Sequence, residues 1–413
     1  MHQPDQHTIP DSVTTMGSDP FSGCIKLRSI KMSRNHPAFT VIDNVLFEKA
    51  TNRLICYPGG KPGKSYAIPQ GTVRIGDCAF SYCNKLSSVS IPDSVTTIGD
   101  SAFEYCLSLT SITIPDSVTA IGDYAFNCCL GLTSVTLPDS VIDLGINPFV
   151  GCECLGWNSM LPEYPAFAVS PDHPSLAVMD DMLVEKATGT LICYPMAKSM
   201  LQNSCSIPQG IEVIGDKAFY GCKELISVTI PEGVTTIGDK AFNSCQKLTE
   251  ISIPEGVTTI GQDAFAGCES LTSVTIPASV TDIGYCAFHR CSSLTSVTIP
   301  ASVTTMSSAF TECTSLTSVT LLNGATTIDD HAFEECTSLT SVTIPDSVTS
   351  IGYGAFSGCA SLANVTIPDS VAFIEYAAFD GCPQLTANVR HNSYAEKYCQ
   401  ENGIPYTYFD SND

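Results

Sequence analysis

A 23-residue repeat runs through most of this 413-residue chain and limits the folds open to it. Near-copies of the segment SLTSVTIPASV (293–303) recur along the sequence, and the apolar residue that opens each Ile-Pro-like dipeptide sets a common register. A fixed period of about 20–50 residues indicates a solenoid, whose units bury their apolar faces by stacking on one another. The first positions of the thirteen repeats are Ile9, Ile68, Ile91, Ile114, Leu137, Ile207, Ile230, Ile253, Ile276, Ile299, Leu321, Ile344 and Ile367.

Each repeat places apolar residues at the same offsets from its first residue. Position +7 is Ile, Leu or Met, +12 is Phe, +15 is Cys and +18 is Leu, with the last three one residue early in the repeat that begins at Ile299. The segment from +18 reads L-x-x-V-x-I, which predicts a β-strand with Val and Ile inward and positions +20 and +22 outward. The segment A-F-x-x-C-x-x-L spaces Phe, Cys and Leu three apart, which predicts a helical turn.

At these residues the chain resembles the BspA-like leucine-rich repeats, the LRR_5 class, with the pattern L-x-x-I-x-I-P-x-x-V-x-x-I-G-x-x-A-F-x-x-C. The resemblance implies an α/β fold. This is a right-handed leucine-rich-repeat solenoid with a curved parallel β-sheet on the concave side and short helical turns on the convex side. We expect its thirteen strands to form one continuous sheet. Members of the family are mostly secreted or surface proteins that bind host proteins or act as adhesins, and the repeat itself has no catalytic residues.

The repeats predict a single solenoid over residues 1–390. Two segments that end in ICYP match each other at a constant offset, and they predict β-meander inserts near 33–67 and 161–206. The second turn of each meander contains Asn52 or Gly189, residues that tolerate a positive φ.

The C-terminal residues 391–413 depart from the repeat and predict a cap. Ser393 and Glu396 have the spacing of a helix capping box, Gly403 lies where a helix C′ glycine belongs, and Pro405 follows. A polar helix here would cover the last repeat.

The chain is acidic, with 19 Lys and Arg against 42 Asp and Glu and a net charge of −23. Such a charge repels phosphate backbones and anionic membranes, so no nucleic-acid partner is expected. The chain has no apolar run long enough to cross a bilayer, and its start lacks the basic and apolar regions of a signal peptide. By resemblance, we nevertheless expect a cell-surface or secreted protein that binds a host matrix or surface protein, and we expect it to be a monomer.

Thirteen of the 21 cysteines occupy position +15 of successive repeats, and we interpret them as buried free thiols. Neighbouring helical turns approach to about 8–10 Å, whereas a disulfide needs Cα atoms within roughly 7 Å. Among the other cysteines, Cys154 lies two residues from Cys152, but no His is near them in sequence. A structural role is therefore predicted instead of a zinc site.

No catalytic pattern emerges from the remaining motifs. The segment GGKPGKS (59–65) is one residue too short for a phosphate loop and is followed by a strand-like segment. Aspartates recur after Ile-Pro and after Ile-Gly; we interpret both columns as solvated turn residues, with a loosely held Ca²⁺ as the alternative. His36 and His173 precede prolines and are interpreted as turn residues. The sequence predicts a non-enzymatic protein without cofactor or metal.

The outward strand positions predict a grid of Ser and Thr hydroxyls on strands about 4.8 Å apart. Hydroxyls are adaptable hydrogen-bond partners with little specificity of their own. Trp157, the single Trp, and Glu250 interrupt the grid at +20, and Lys31 interrupts it at +22. Trp157 is either an anchor for a partner or the residue that seats the second insert. The predicted partner-binding residues are Trp157, Glu250, Ser111, Thr113, Ser134, Thr136, Ser227 and Thr229.

Three functions remain open from the sequence. The first is a protein-binding or adhesion module, which the resemblance and an extended repeat surface favour. The second is a structural spacer that presents another domain, which the uniformity of the grid favours. The third is a glycan-binding or ice-binding hydroxyl surface, which a curved sheet disfavours.

Overall fold

The structure is a computed structural model that describes residues 5–157 and 165–409. Its contacts divide the chain into two compact units, Met1–Leu201 and Gln202–Asp413. Within each unit, successive coils stack so that a repeat typically contributes one long strand and one short strand to parallel ladders. The long strand contains positions +20 to +22, and the short strand contains +6 and +7.

The first unit has seventeen strands and one short helix among its described residues. They are β1 (Gln6–Thr8), β2 (Ser29–Lys31), β3 (Phe39–Ile42), β4 (Val45–Glu48), β5 (Arg53–Cys56), β6 (Ser65–Ala67), β7 (Arg74–Ile75), β8 (Ser88–Ser90), β9 (Thr97–Ile98), β10 (Ser111–Ile112), β11 (Ala120–Ile121), β12 (Val135–Leu137), β13 (Asp143–Leu144), β14 (Phe167–Val169), β15 (Leu176–Met179), β16 (Met182–Glu185), β17 (Thr190–Cys193) and α1 (Met196–Leu201). The long strands pair as β1–β2, β6–β8–β10 and β12–β14, and the short strands as β5–β7–β9–β11–β13.

The second unit repeats this arrangement and ends in a helix and a final strand. Its elements are β18 (Ser204–Ser206), β19 (Val213–Ile214), β20 (Ser227–Thr229), β21 (Thr236–Ile237), β22 (Glu250–Ser252), β23 (Thr259–Ile260), β24 (Ser273–Thr275), β25 (Asp282–Ile283), β26 (Ser296–Ile299), β27 (Ser318–Leu321), β28 (Thr327–Ile328), β29 (Ser341–Thr343), β30 (Ser350–Ile351), β31 (Asn364–Thr366), β32 (Phe373–Ile374), β33 (Thr386–Val389), α2 (Tyr394–Asn402) and β34 (Tyr406–Tyr408). Its long strands pair as β18–β20–β22–β24 and β26–β27–β29–β31–β33–β34, and its short strands as β19–β21–β23–β25 and β28–β30–β32.

The parallel β-solenoid predicted from the repeat is confirmed, but the prediction of one continuous thirteen-strand sheet is wrong. The long strands fall into several separate sheets within each unit. In the first unit, the insert lies between β2 and β6 and separates their sheets. In the second unit, the long strands divide between β24 and β26. The short strands divide where the repeat that begins at Ile299 lacks one residue, and its short strand is reduced to a single bridge between Asp282 and Thr305.

The side of each coil that carries Phe and Cys consists of consecutive tight turns, so the predicted helical turns are wrong. The amides of Ala79 and Cys83 each donate to the carbonyl three residues earlier, at 3.2 and 3.1 Å. Cys78 lies within the first of these turns and Tyr82 within the second, and their φ angles are 53° and 60°. These left-handed residues, at +10 and +14, are incompatible with a right-handed helix.

The turns of one coil are joined to the next by backbone hydrogen bonds. The amide of Phe80 donates to the carbonyl of Ala102 at 2.7 Å, and the amide of Phe103 donates to that of Ala125 at 2.7 Å. In an α-helix, these amides would instead donate to carbonyls four residues earlier in the same helix. Adjacent coils are therefore within backbone hydrogen-bonding distance here, closer than the separation of about 8–10 Å between packed helices.

A continuous column of phenylalanine rings forms the centre of each unit. From Phe80 to Phe149 the ring centroids are 4.9–5.6 Å apart and the planes lie within 7° of parallel. From Phe219 to Phe379 the centroids are 4.8–5.6 Å apart. Burying one such ring stabilises the fold by about 1.5–3 kcal/mol relative to exposing it. The repeated Phe is therefore the main apolar contribution of each coil.

Each insert contains a three-stranded antiparallel meander: β3, β4 and β5 in the first, and β15, β16 and β17 in the second. Asn52 and Gly189 adopt φ angles of 51° and 60°, as predicted for their turns. The predicted start of the second insert, near residue 161, lies outside the described residues. Strand β5 also pairs in parallel with β7, so the first insert supplies the short strand of a further coil.

Tyr57 takes the place of Phe in this further coil. Its amide donates to the carbonyl of Ala79 at 2.7 Å, and its ring stacks on Phe80 with centroids 5.3 Å apart. The register of thirteen repeats misses this coil because the ICYP segment lacks the Phe and Cys spacing. Tyr194 holds the same place in the second ICYP segment.

Buried histidines attach the inserts to the preceding coils. In His36, Nδ1 accepts from the amide of Phe39 at 3.2 Å, and Nε2 lies 3.1 Å from the carbonyl oxygen of Pro10. Since Nδ1 is an acceptor, the proton is assigned to Nε2, which donates to that carbonyl. His173 makes the same two kinds of bond in the second insert. Both histidines are thus buried structural links, which the interpretation as simple turn residues misses.

Helix α2 covers the last repeat of the second unit. The Ser393 hydroxyl accepts from the amide of Glu396 at 3.1 Å, and Gly403 ends the helix with a φ of 67°. Tyr398 packs against Phe379, with centroids 6.3 Å apart. The N-cap serine and the C′ glycine therefore lie where their spacing predicts, whereas the Glu396 carboxylate accepts from the amide of Asn392 at 2.6 Å instead of that of Ser393.

Candidate functional site

The outward positions of the long strands form an exposed hydroxyl surface, which we call the grid. The residues between its paired positions, Ile112, Val135 and Val228 among them, are buried, so the grid side chains face away from the core. Within residues 5–157 and 165–409, the hydroxyl of Thr366 accepts from Asn388 Nδ2 at 3.4 Å, whereas the hydroxyls of the twelve grid residues named next form no intramolecular hydrogen bond and are free for solvent or a ligand. Twelve exposed or half-buried members of the grid are Ser111, Thr113, Ser134, Thr136, Ser227, Thr229, Ser273, Thr275, Ser296, Thr298, Ser341 and Thr343.

Three other columns of hydroxyls are used by the fold itself. At +3, the hydroxyl of Ser94 donates to a carbonyl of the preceding coil at 2.8 Å. At +5, Thr119 does so at 3.3 Å, and at +19, Thr272 does so at 3.1 Å. The same residue types therefore have a structural role at +3, +5 and +19 and an unassigned surface role at +20 and +22.

Glu250 lies in the grid where the sequence predicts it. It is exposed at the start of β22, between Ser227 of β20 and Ser273 of β24. Its carboxylate interrupts a column of neutral hydroxyls, so a partner on this face meets a negative charge there.

The structure corrects the register of Trp157. The strand that pairs with β12 is β14, in which Phe167 lies opposite Val135, and the amide of Val135 donates to the carbonyl of Ala166 at 2.9 Å. Ala166 therefore takes position +20, because the insert begins before the long strand. Trp157 lies in the preceding turn, where its amide donates to the carbonyl of Cys154, and it is 40% exposed. The predicted partner-binding residue is accessible, but it is not part of the grid.

The aspartates that follow Ile-Gly connect neighbouring coils. Asp100 Oδ1 accepts from the amide of Asp123 at 2.9 Å, and Asp216 Oδ1 accepts from that of Asp239 at 2.8 Å. A Cβ at Gly122 would lie 2.2 Å from Asp100 Oδ1, so the preceding Gly leaves the space that the carboxylate fills. The interpretation as solvated turn residues is therefore incomplete, because these aspartates are exposed or half-buried but also accept hydrogen bonds from the next coil. Burial raises the pKa of Asp216, although the hydrogen bond from Asp239 opposes this shift.

The cysteines at +15 direct their thiols at backbone carbonyls. Cys106 Sγ lies 3.1 Å from the carbonyl oxygen of Phe80, and Cys268 Sγ lies 3.3 Å from that of Phe242. All 21 cysteines are among the described residues and none is in a disulfide. The separation argument against disulfides is nevertheless wrong, because adjacent coils are in backbone contact. Burial raises the pKa of the Cys268 thiol to about 12.

Exposed aromatic residues near the end of the second unit were not identified from the sequence. Tyr353 and Tyr376 occupy +9, where six other coils have Asp and one has Tyr285, and their ring centroids are 6.4 Å apart. Tyr376 is 76% exposed. Phe373 and Tyr394 are also exposed, with centroids 6.4 Å apart. The replacement of Asp by Tyr at +9 was the available signal.

The described part of the chain contains no group of three or more His, Cys, Asp and Glu side chains able to hold a metal ion. Cys152, half of the close cysteine pair, is buried and donates to the carbonyl of Phe126 at 3.1 Å, as other cysteines at +15 do. In the same described residues, no helix has the length and apolar character needed to cross a membrane.

Comparison with known proteins places these features in context. The model of the BspA type leucine rich repeat region matches residues 4–58, 55–159, 196–309 and 305–402. A leucine-rich repeat protein from Eubacterium ventriosum is 27% identical over 78% of this chain and 92% of its own, with a TM-score of 0.65.

Two further solved structures are less similar in shape. A leucine-rich repeat protein from Bacteroides ovatus is 26% identical over 90% of this chain and 98% of its own, with a TM-score of 0.43. A leucine rich cell surface protein from Faecalibacterium prausnitzii is 24% identical over 97% of this chain and 81% of its own, with a TM-score of 0.42. Of these three, the Eubacterium ventriosum structure alone aligns well enough to support a shared fold. No curated protein matches the sequence significantly.

Proposed function

Because the chain belongs to the BspA-type leucine-rich-repeat family, we propose that it is a non-enzymatic protein-binding or adhesion module of a cell-surface or secreted protein. As a monomer, it binds a protein ligand, such as a host matrix or surface protein, through the grid. The observation that supports this most is the state of the hydroxyls. Most hydroxyls at +3, +5 and +19, such as those of Ser94, Thr119 and Thr272, are bonded to the preceding coil, whereas those of the twelve grid residues named above have no partner in the described chain.

Electrostatics favour a neutral or basic partner for the grid of the second unit. Residues 202–413 contain 7 Lys and Arg against 23 Asp and Glu. Complementary charge speeds association and suppresses binding of like-charged partners. Glu250, in the middle of β18–β20–β22–β24, is the charged residue best placed to meet a Lys or Arg of the ligand.

A charge reversal at Glu250 tests this proposal against a panel of extracellular-matrix proteins immobilised on a biosensor. Glu250→Arg should abolish binding of the ligand that the native chain captures, because it puts a long cationic side chain in the grid. Glu232→Arg is the matched control, since Glu232 is exposed in a turn outside the grid. Equal binding by both variants, or no binding to any panel member by the native chain, would overturn the proposal.

Trp157 is the second candidate contact, since its half-exposed ring offers a large apolar surface with little rotamer entropy to lose. Comparing Trp157→Ala with Ser296→Ala, each with a circular-dichroism melt, separates its two roles. Lost binding with an unchanged melt would support a partner anchor. A lowered melting temperature with intact binding would assign Trp157 to seating the insert.

The alternative function is a structural spacer that presents another domain, and the uniformity of the grid favours it. The outward Ser and Thr are identical in β20, β24, β26, β27 and β29, and a uniform surface offers no hot spot. A spacer would tolerate Glu250→Arg and Trp157→Ala without loss of function, so the same variants distinguish the two functions.

A further inference from the structure

The charge of this acidic chain is unevenly distributed. Residues 1–100 contain ten of the 19 Lys and Arg but eight of the 42 Asp and Glu. Residues 101–413 therefore have nine basic and 34 acidic residues. The net charge hides a locally basic region in the first unit, and an anion meets a favourable potential there that the rest of the chain does not offer.

Three of these basic residues surround one concave site. Within the described residues, Lys26, Arg28 and Lys85 form no ion pair, whereas nine other Lys and Arg do. Their charges are therefore not neutralised by a neighbouring carboxylate of the described chain and are available to an anionic ligand. The concavity has a volume of about 210 Å³ and is lined by Asp5, Ile25, Lys26, Arg28, Gly60 and Lys85.

The first insert shapes this site. Lys26 and Lys85 are both at +17 of their repeats, and the loop of the insert runs between them. The amide of Gly60 donates to the carbonyl of Leu27 at 2.7 Å, and a Cβ at Gly60 would lie 2.7 Å from the Lys26 carbonyl. Glycine therefore lets the loop close the concavity. Lys61 of the same loop is paired with a carboxylate and is not one of the free cations.

Free hydroxyls lie on the same coils as these cations. Lys85 leads into β8, where Ser88 and Ser90 are exposed and their hydroxyls have no partner among the described residues. Lys31, at the end of β2, is exposed as well. A ligand that follows this surface thus meets cationic groups and then hydroxyls, a combination that suits a polymer bearing both oxyanions and hydroxyl groups.

We propose that this concavity binds a sulfate or carboxylate group of an acidic polysaccharide, with the sugar chain lying along the outward hydroxyls of β8. Lys and Arg donate charge-assisted hydrogen bonds to such oxyanions. Asp5 is the one carboxylate in the lining, so the cations outnumber it. A membrane or a nucleic acid is a poorer match, because either would extend over the acidic coils beyond residue 100. The concavity lies outside the grid, and the sugar chain would share only the grid positions of β8 with the protein-binding face proposed above.

The test measures binding of a heparin oligosaccharide and, separately, of sodium sulfate by isothermal titration calorimetry at low ionic strength. The triple variant Lys26→Gln, Arg28→Gln, Lys85→Gln should bind the oligosaccharide at least about tenfold more weakly and with a shallower salt dependence, since fewer counterions are displaced. The control variant Lys223→Gln, Lys247→Gln, Lys397→Gln removes the same charge elsewhere and should bind as the native chain does. Circular-dichroism melts establish that both variants are folded.

The other outcomes decide between sources of the anion. Saturable sulfate binding with no preference for the oligosaccharide would support an oxyanion site but assign it to a free ion. No binding by the native chain, equal loss in both variants, or preferential binding to anionic phospholipid vesicles would overturn the proposal. None of these results depends on the matrix-protein panel, so failure of this proposal is distinguishable from failure of the protein-binding one.

Discussion

Positions +3, +5 and +9 of each coil, which we call the turn side, and the grid positions +20 and +22 contain similar polar residues but differ in what those residues contact. On one side, the hydroxyls of Ser94 and Thr119 and the carboxylate of Asp100 bond to neighbouring backbone. On the other, Ser111 and Thr113 face solvent with their hydroxyls unpaired among the described residues. The role of a residue in this repeat thus depends on whether a backbone group of a neighbouring coil is within reach. Substitutions should reduce stability on the first side and binding on the second.

The largest effect is expected in the phenylalanine column. Phe126→Ala or Phe265→Ala should lower the free energy of unfolding by roughly 3–5 kcal/mol, because each removes a fully buried ring from a stack and leaves a cavity. Chemical denaturation measures the loss. Thr136→Ala, on the grid side, should stay within about 0.5 kcal/mol of the native chain. A loss well under about 1 kcal/mol at Phe would show that the column is not the core.

A smaller loss of stability is expected at Gly122, where the absence of a Cβ leaves space for the carboxylate of Asp100 in the neighbouring coil. Gly122→Ala should cost about 1–3 kcal/mol, since its Cβ would lie 2.2 Å from Asp100 Oδ1 and 2.6 Å from the Asp100 amide nitrogen. Gly17→Ala is the control, because no atom lies within 4 Å of the added methyl group. Similar denaturation midpoints for the two variants would contradict the role assigned to Gly122.

The aspartate bond between coils should contribute less again. Asp216→Ala removes the acceptor for the Asp239 amide and should cost roughly 1 kcal/mol, whereas Asp216→Asn keeps an acceptor oxygen and should cost less. Equal losses in the two variants would argue against the hydrogen bond as the source of stability.

The pH dependence at Asp216 has a defined sign. Burial raises the folded-state pKa of Asp216 above 3.8, so between the unfolded and folded values the folded state binds more protons. The contribution of this group is therefore complete below 3.8 and is lost as the pH rises through the folded pKa. Relative to Asp216→Asn, the native chain should become less stable over that interval. An opposite slope in denaturation measured across it would exclude the burial effect.

The thiols should show the smallest effect on stability and a clear effect on reactivity. Burial raises the pKa of Cys268 and Cys313 to about 12, so both remain protonated and unreactive near neutral pH. Ellman titration of the native chain should detect few of the cysteines at +15, and titration in denaturant should detect at least all thirteen. Finding most of them oxidised in denaturant without reductant would overturn the free-thiol interpretation.

Much of the grid could be predicted from the sequence, and parts of the turn side could not. Alternation within L-x-x-V-x-I is a local property of a strand, so the outward position of Ser111 and Glu250 follows from it. The placement of Trp157 could not be predicted in this way. Counting 20 residues from Leu137 reaches Trp157, but the insert begins before the long strand, so position +20 is occupied by a later residue. The helical turn was also mispredicted, since spacing by three is common to a helix and to consecutive turns, and Cys78 at a positive φ has no reliable signature.

The sequence by itself determined that the chain stacks 23-residue units into parallel ladders around Phe, Leu and Val, because a periodic apolar pattern can be buried in no other way. The tertiary structure alone decided which polar groups remain free. The hydroxyl of Thr119 and the carboxylate of Asp100 are bonded because another coil passes within hydrogen-bonding distance. Lys26 and Lys85 converge because the loop at Gly60 closes the space between them. Such contacts join residues distant in sequence, so residue identities alone do not reveal them.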